Sequence, residues 1–185
     1  LVRDSFDTDG NSWLSLAELQ AAKTLTISAD SGITDLTGME QLCWLENLQC
    51  SGISLERLDV SGFSALKMLS CDGCGLKELL LPEESSLEVL SCNQNQLTSL
   101  ELSRQSNLQE LFCADNQLCA LQIDGTKLAD GTVSADGNVA AISPDILGQL
   151  DLSQLSGFSA EQAENWTNGT VQDGVLTVAD LSQPV

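Results

Sequence analysis

The stretch Leu87-Glu-Val-Leu-Ser-Cys-Asn-Gln-Asn-Gln-Leu-Thr-Ser-Leu-Glu-Leu102 carries the pattern that decides the fold of this 185-residue chain. Its apolar positions recur at intervals of 21 residues, so that Cys92 corresponds to Cys50, Cys71 and Cys113. The first four leucines of the stretch are leucine in every copy. One such unit cannot bury its apolar side alone, whereas stacked units bury a continuous core. The pattern therefore predicts a solenoid with one coil for each unit.

Each unit reads L-x-x-L-x-C-x-x-N-x-L-x-x-L-x-L and resembles the leucine-rich repeat, which has a period of about 20–29 residues. The expected fold class is a leucine-rich repeat solenoid of parallel β coils with a 21-residue period. The short strand in each unit alternates, because successive side chains of a strand point to opposite faces. In the first unit this places Leu48 and Cys50 inward and Gln49 outward.

Hydrogen bonding explains why asparagine is preferred at the ninth position of the repeat. An asparagine amide can satisfy backbone groups where the strand turns away from its neighbours. Asn95 and Asn116 fill this position in the last two units, and Ile53 and Cys74 fill it in the first two. We expect the asparagines to bond the backbone.

The repeat divides the chain into three parts. Residues 45–127 hold four repeats, and residues 1–44 are predicted to form a short helical N-terminal cap with an EF-hand-like loop and a divergent first repeat. Residues 128–185 are predicted to form a β-rich C-terminal cap, because the period breaks after Lys127.

The predicted C-terminal cap contains local turn and helix signals. Asp136-Gly137 and Asp173-Gly174 are dipeptides typical of hairpin turns, and they indicate a β-hairpin near residues 169–178. Ser143-Pro144 is typical of a helix start, with the serine as N-cap and the proline in the first turn.

The charge of the chain restricts its partners. With 27 acidic and 7 basic residues the net charge is −20, which argues against nucleic acid and anionic membranes. Strongly acidic surfaces repel one another, so we expect a monomer. No apolar run approaches the length needed to cross a bilayer, so we expect no membrane insertion. The absence of histidine excludes Ser-His-Asp catalysis and His-ligated metals.

The repeated cysteines have three interpretations. In the interpretation that we favour, they are free thiols that act as small buried apolar side chains at core positions of the repeat. Adjacent strands lie about 4.8 Å apart, which also satisfies the Cα spacing of a disulfide. Cys71-x-x-Cys74 resembles a redox or zinc motif, although it lacks a second pair of ligands.

The segment Asp7–Glu18 fits the loop of an EF-hand, in which oxygen ligands recur at fixed positions around one calcium ion. Position 6 departs from the pattern, because Ser12 replaces the glycine that makes the sharp turn. The expected ligands are the side chains of Asp7, Asp9, Asn11, Ser15 and Glu18 and the main-chain carbonyl of Trp13.

The same residues also fit a simpler structure, an acidic turn that caps a helix. Ser15-Leu-Ala-Glu18 is a capping box, and it predicts a short helix from Ser15 to Ala22 with Leu16 and Leu19 inward. The two interpretations are compatible, because Glu18 can serve in both.

The outward positions of the strands form the candidate ligand surface, since repeat arrays usually bind through that wall. Met68, Val89 and Phe112 are apolar there, and the core does not need them because the inward positions are filled. Scattered surface apolar residues are the alternative. The candidate ligand-binding residues are Met68, Val89, Glu110, Phe112, Ser91 and Asp72.

Much of the chain resembles one group of surface proteins. Residues 87–103 and 108–118 are similar to the Cys-containing leucine-rich repeats of Gram-positive gut bacteria, which are related to the internalins. Residues 25–42 resemble their divergent first repeat, and residues 151–158 and 165–178 resemble the segment that follows the repeats. The resemblance implies an extracellular or cell-surface protein used for attachment or recognition, and it implies no reaction.

Three functions compete at this point. The first is a recognition or adhesion module that binds an extracellular protein or a glycan through the strand wall. The second is a structural spacer that presents another domain of a larger surface protein. The third is an enzyme, which the sequence disfavours because its carboxylates lie in turns and on solvent-facing rows, with no insertion that would form a pocket.

Overall fold

The chain forms a parallel β-solenoid of about five turns with few helices, seen in a computed structural model. The structure describes residues 2–34, 36, 38–83, 86–118, 120–123, 125–128, 132–138, 149–151, 169–172 and 175–178. Three successive coils advance by 21 residues, as the pairing of Asn47 with Met68, Met68 with Val89 and Val89 with Glu110 shows. The predicted solenoid and its period are confirmed.

The helices and strands of the chain are short. The helices are α1 (Val2–Phe6) and α2 (Leu16–Ala21), and two short 3-10 helices span Ala29–Ser31 and Met39–Gln41. The strands are β1 (Thr24–Thr26), β2 (Asn47–Gln49), β3 (Arg57–Asp59), β4 (Met68–Ser70), β5 (Glu78–Leu80), β6 (Val89–Ser91), β7 (Ser99–Glu101), β8 (Glu110–Phe112), β9 (Ala120–Gln122), β10 (Thr132–Ser134), β11 (Gln149–Asp151), β12 (Gly169–Gln172) and β13 (Val175–Val178).

The main sheet has six parallel strands in the order β1-β2-β4-β6-β8-β10. On another side of the coils, β3 pairs in parallel with β5, and β7 pairs in parallel with β9. This arrangement leaves one face of the main sheet, the strand wall, pointing away from the core. The wall consists of the outward residues of the six strands and the residue two positions after each strand.

The core is a stack of aligned rows. Leu48, Leu69, Leu90 and Leu111 are fully buried and lie in register across β2, β4, β6 and β8. Cys50 and its three equivalents form a second buried row beside them. The prediction that Leu48 and Cys50 point inward is confirmed. Successive side chains of a strand point to opposite faces, so these two residues share the face that packs against the core.

The ninth-position asparagines tie adjacent coils together. Asn95 Nδ2 donates to the carbonyls of Cys71, Cys92 and Asn93, and its Oδ1 accepts from the backbone N–H groups of Cys74 and Leu76. Asn116 repeats this role one coil later. The expected backbone bonding is confirmed for both residues.

The main sheet continues beyond Lys127, where the leucine period breaks. Strand β10 pairs in parallel with β8, with Thr132 opposite Glu110, so this coil is 22 residues long. Asn138 continues the asparagine row and donates to the carbonyls of Cys113 and Ala135. At Asp136-Gly137, where the sequence predicts a hairpin turn, the Asp136 carbonyl accepts from the Asp115 N–H one coil earlier, and Gly137 has φ 71°. The residues that would form the second arm of that hairpin lie outside the described residues.

Part of the C-terminal region is described as strands. Strands β11 and β12 both pair antiparallel with β13, in a sheet of their own. The β12–β13 pair flanks Asp173-Gly174, the dipeptide for which the sequence predicts a hairpin turn. That dipeptide and the helix start predicted at Ser143-Pro144 lie outside the described residues.

Ion pairs link neighbouring coils on the surface. Glu46 contacts Lys23 at 3.2 Å and Lys67 at 2.8 Å, and Arg57 Nε lies 2.6 Å from Glu78 Oε2. Exposed pairs of this kind contribute little individually. No helix in the described part of the chain has the length and apolar character required to cross a membrane.

Candidate functional site

The strand wall brings the predicted ligand residues together. Met68, Val89 and Glu110 stand side by side in the first outward row, because β4, β6 and β8 pair without a shift. Ser91 and Phe112 are neighbours in the second row. Asp72, the sixth predicted residue, follows β4 in the third outward row.

These residues differ in how far they reach the solvent. Met68 exposes 36 % of its surface, and Glu110 is also exposed. Val89 and Phe112 are half-buried, as are Ser91 and Asp72. The wall therefore presents an apolar strip, part of which is shielded by neighbouring side chains, with a carboxylate at one end.

The Asp72 carboxylate is held in a fixed position. Ser91 Oγ donates to both of its oxygens at 2.8 and 2.9 Å, and the Asn93 backbone N–H donates to Oδ1 at 2.6 Å. Asn93 Nδ2 in turn donates to Ser91 Oγ. The repeat register places Asn93 one period after Asp72 in the same outward row, but the predicted ligand residues do not include it.

The Asp7–Glu18 segment, here the acidic loop, folds around its first aspartate. Asp7 Oδ1 accepts from the Gly10 N–H and Oδ2 accepts from the Ser12 N–H, each at 2.8 Å. Ser12 has φ 71°, in the left-handed region that glycine adopts readily and serine rarely. These bonds bend the loop back toward Asp7.

Glu18 closes the loop from its other end. Oε2 accepts from the N–H and hydroxyl of Ser15, and Oε1 accepts from the N–H and hydroxyl of Thr8. The hydrogen bonds from Ser15, followed by those from Thr8, favour the ionised carboxylate and lower the pKa of Glu18 to about 2. Thr8 was missed from the sequence, because position 2 of such a loop has no ligand role.

Three of the six predicted metal ligands converge. One carboxylate oxygen from each of Asp7, Asp9 and Glu18 lies within 4.8 Å of the others. Two oxygens bound to one calcium ion can lie at most about 5 Å apart, since each Ca–O distance is about 2.3–2.6 Å. The three carboxylates thus suit a hard cation in charge, in ligand type and in spacing.

Hydrogen bonds of the loop itself involve the side chains of Asn11 and Ser15 and the backbone N–H of Trp13, whose carbonyl is the predicted ligand. Asn11 Nδ2 donates to Asp9 at 2.7 Å, and Asn11 Oδ1 accepts from the Trp13 N–H. Ser15 Oγ donates to Glu18. Trp13 is 79 % exposed, so its indole packs little against the protein.

The helix-capping interpretation of the loop is realised. Ser15 is the N-cap of α2, and both bonds of the capping box with Glu18 are present. The prediction that Leu16 points inward is wrong, because Leu16 is 61 % exposed. The six-residue helix meets the core mainly near its C-terminal end, where Leu19 is half-buried and Ala22 fully buried.

The described cysteines are free thiols, and five of the six are buried. Burial raises the pKa of Cys113 to about 11 and raises the pKa of Cys71 further, because a thiolate is poorly solvated in the core. Cys74 Sγ donates to the Cys50 carbonyl at 3.1 Å, and so partly replaces the asparagine of later coils. Its side-chain interaction with Cys50, followed by the N–H groups of Gly52 and Ile53, lowers the pKa of Cys74, but that thiol is buried, whereas reactive cysteines are exposed.

Comparison with known proteins assigns the chain to no family. No protein-family model matches the chain, and no curated protein matches it in sequence. Functional proposals therefore rest on the geometry of the strand wall and of the acidic loop.

Proposed function

We propose that this chain is a leucine-rich repeat recognition module of the cell surface, which binds an extracellular protein or glycan through its strand wall. The observation that carries the proposal is Met68, which is exposed beside Val89 at positions where the core needs no apolar side chain. Apolar surface with a polar rim is typical of a contact site. The Asp72–Ser91–Asn93 network supplies a rigid polar rim.

The repeat itself supports the assignment to the leucine-rich repeat class. Every coil of 21 residues places leucines inward, and the ninth-position asparagines bond the backbone of two coils. The short helices before β1 and the small antiparallel sheet after β10 are proposed to cap the two ends of the array, which stacked repeats require.

The test is a binding screen of the labelled chain against arrayed extracellular proteins and glycans, with a matched pair of variants. Met68→Ala removes an apolar side chain that is 36 % exposed on the wall, and Ile123→Ala removes one that is 37 % exposed on another side of the coil. We expect a ligand whose affinity falls about tenfold in Met68→Ala and Phe112→Ala and less than twofold in Ile123→Ala.

Two other outcomes have different meanings. Equal losses in Met68→Ala and Ile123→Ala, or losses that follow a lower melting temperature, would show that the variants act through folding. The absence of any ligand across both arrays would favour the structural spacer, which tolerates substitutions on the wall.

We also propose that the acidic loop binds one calcium ion and so stabilises the N-terminal end of the array. The loop supports this in three ways: its carboxylates converge, Asp7 accepts from the N–H groups of positions 4 and 6, and Ser12 adopts the conformation of the EF-hand glycine at position 6. The residues that would hold the ion are Asp7, Asp9, Asn11, Trp13, Ser15 and Glu18.

Calcium binding is tested by titrating the chelator-treated chain with calcium alone and following heat and tryptophan fluorescence. We expect a single site that is lost or weakened at least about tenfold in Asp9→Asn and retained in Asp30→Asn, a matched change at an exposed aspartate outside the loop. A fluorescence change that disappears in Trp13→Phe would report the loop directly. Identical titration curves of the wild type and Asp9→Asn would show that the acidic loop is not the calcium site.

A further inference from the structure

The strand wall carries negative charge without positive charge. Among the outward positions of the six main-sheet strands and the residue two beyond each, the acids are Asp72, Glu110 and Asp136. In this described part of the chain, no lysine or arginine occupies any of these outward positions. The other outward residues are polar and uncharged or apolar, so nothing on the wall offsets its acids.

The basic residues that lie near the wall strands in sequence form ion pairs with acids outside the wall. Lys23 and Lys67 immediately precede β1 and β4, and both pair with Glu46, at 3.2 and 2.8 Å. Arg57 pairs with Glu78 and Asp59 on the second face of the coil. The acids of the wall therefore face the solvent within a chain whose net charge is −20.

This charge pattern discriminates between possible partners. A neutral surface pressed against the wall would strip water from Asp72 and Glu110 without compensating their charges, which costs binding free energy. An anionic surface would in addition be repelled. Two cationic groups, one opposite each acid, would compensate the two carboxylates. Asp72 is already oriented by Ser91 and Asn93, so little side-chain entropy is lost when a cation binds it.

We propose that the partner of the strand wall is a polypeptide segment that presents lysine or arginine side chains next to apolar ones. The proposal rests on the recognition function proposed above and narrows its ligand class. The apolar side chains of the partner segment pack on Met68, Val89 and Phe112, and its lysine or arginine side chains pair with Glu110 and Asp72. Neighbouring strands are about 4.8 Å apart, so Met68 and Glu110 are separated by about 10 Å. An extended segment spans that distance in about three residues.

The test uses three synthetic peptides of equal length, alternating leucine with lysine, with serine or with glutamate, and measures their binding to the full chain by fluorescence anisotropy. We expect the lysine peptide to bind at least about tenfold more tightly than the serine peptide, and the glutamate peptide to bind most weakly. The affinity for the lysine peptide should fall severalfold as salt rises from about 50 to about 300 mM, because screening weakens exposed charge pairs.

Two double variants, each of which removes two negative charges, distinguish the effect of the wall carboxylates from the effect of the net charge of the chain. Asp72→Asn with Glu110→Gln removes two wall carboxylates, and the asparagine can still accept from Ser91 and Asn93. Glu56→Gln with Glu83→Gln removes two exposed carboxylates that pair with Lys77 and Arg104 away from the wall. We expect a loss of lysine-peptide affinity of about fivefold or more in the first pair and less than twofold in the second.

Equal losses in both double variants would overturn the proposal, because overall charge alone would then explain the binding. No measurable binding of the lysine peptide below about 1 mM would overturn it as well. A glycan or an uncharged or acidic probe whose binding is lost in Met68→Ala would overturn the cationic partner and leave the recognition function standing. If no ligand of any class responds to Met68→Ala, both proposals fail. Glu110→Gln alone, at an exposed side chain, serves if the double variant unfolds.

Discussion

Ser12 shows how a backbone requirement can be met by a residue that the pattern does not predict. Its φ of 71° lies in the left-handed region, and the Asp7 carboxylate stabilises it by accepting from the Ser12 N–H. The sequence predicts a turn in this segment but does not show that serine adopts the left-handed conformation. Thr8 was invisible for a related reason, since its bond to Glu18 depends on how the loop closes.

Glu18 gives the molecule a local acid sensitivity. Because its pKa in the folded chain is about 2, below its ordinary value of 4.5, the ionised carboxylate stabilises the fold above about pH 4.5. That contribution is lost as the pH falls from about 4.5 to about 2. We expect the difference in urea midpoint between the wild type and Glu18→Gln to shrink across this interval, measured in chelator. Glu56→Gln, at an exposed site, is the control, and a difference that stays constant from pH 6 to pH 2.5 would contradict the prediction.

At the level of elements, the strands and their register follow from the leucine and cysteine period. The period predicts which residues face inward, because an in-register stack repeats the same environment in each coil. It does not predict β10, because that coil has 22 residues and Val133 where earlier coils have leucine. Asn138, 22 residues after Asn116, was the signal that could have extended the array. The helix α2 was predicted, but the exposure of Leu16 was not, because it depends on how a six-residue helix approaches the core.

The asparagine row is the element-scale feature that we expect to matter most for stability. Asn95 is buried and satisfies five backbone groups of two coils. Asn95→Ala leaves buried donors and acceptors without partners, so we expect a loss of about 2–4 kcal/mol in the free energy of unfolding. Equilibrium urea unfolding measures it.

Asn93→Ala is the matched control for Asn95→Ala. Asn93 is half-buried on the strand wall, donates to Ser91 and accepts from the Ala114 N–H. Water can replace these bonds at a half-buried site, so we expect a loss of about 1 kcal/mol or less. Similar losses in the two variants would mean that the buried row has no special role.

At the scale of the whole molecule, the chain carries an excess of 20 negative charges. The inter-coil ion pairs, such as Lys67 with Glu46 and Arg57 with Glu78, offset part of the repulsion between coils. The chain has 7 basic residues for 27 acidic ones, which is too few to give every carboxylate its own cation. The same repulsion between copies is the basis for expecting a monomer.

Screening by salt stabilises the fold where it weakens repulsion and destabilises the fold where it weakens ion pairs, which makes the balance of the two measurable. Salt screens the repulsion and also weakens exposed ion pairs, which contribute little each. We expect the melting temperature to rise between about 20 and 500 mM NaCl in chelator, by about 2–4 °C for each kcal/mol of repulsion removed. A melting temperature that falls with salt would show that the ion pairs outweigh the repulsion.

The buried cysteine row has a consequence for the lifetime of the protein. In the folded array the thiols are protonated and shielded, and a protonated thiol is a poor nucleophile. When the coils separate, the same thiols become exposed and return to ordinary acidity, so an oxidant can cross-link them within a chain or between chains. Unfolding in oxidising surroundings then becomes a one-way step, and survival there is governed by how often the array opens rather than by its equilibrium stability.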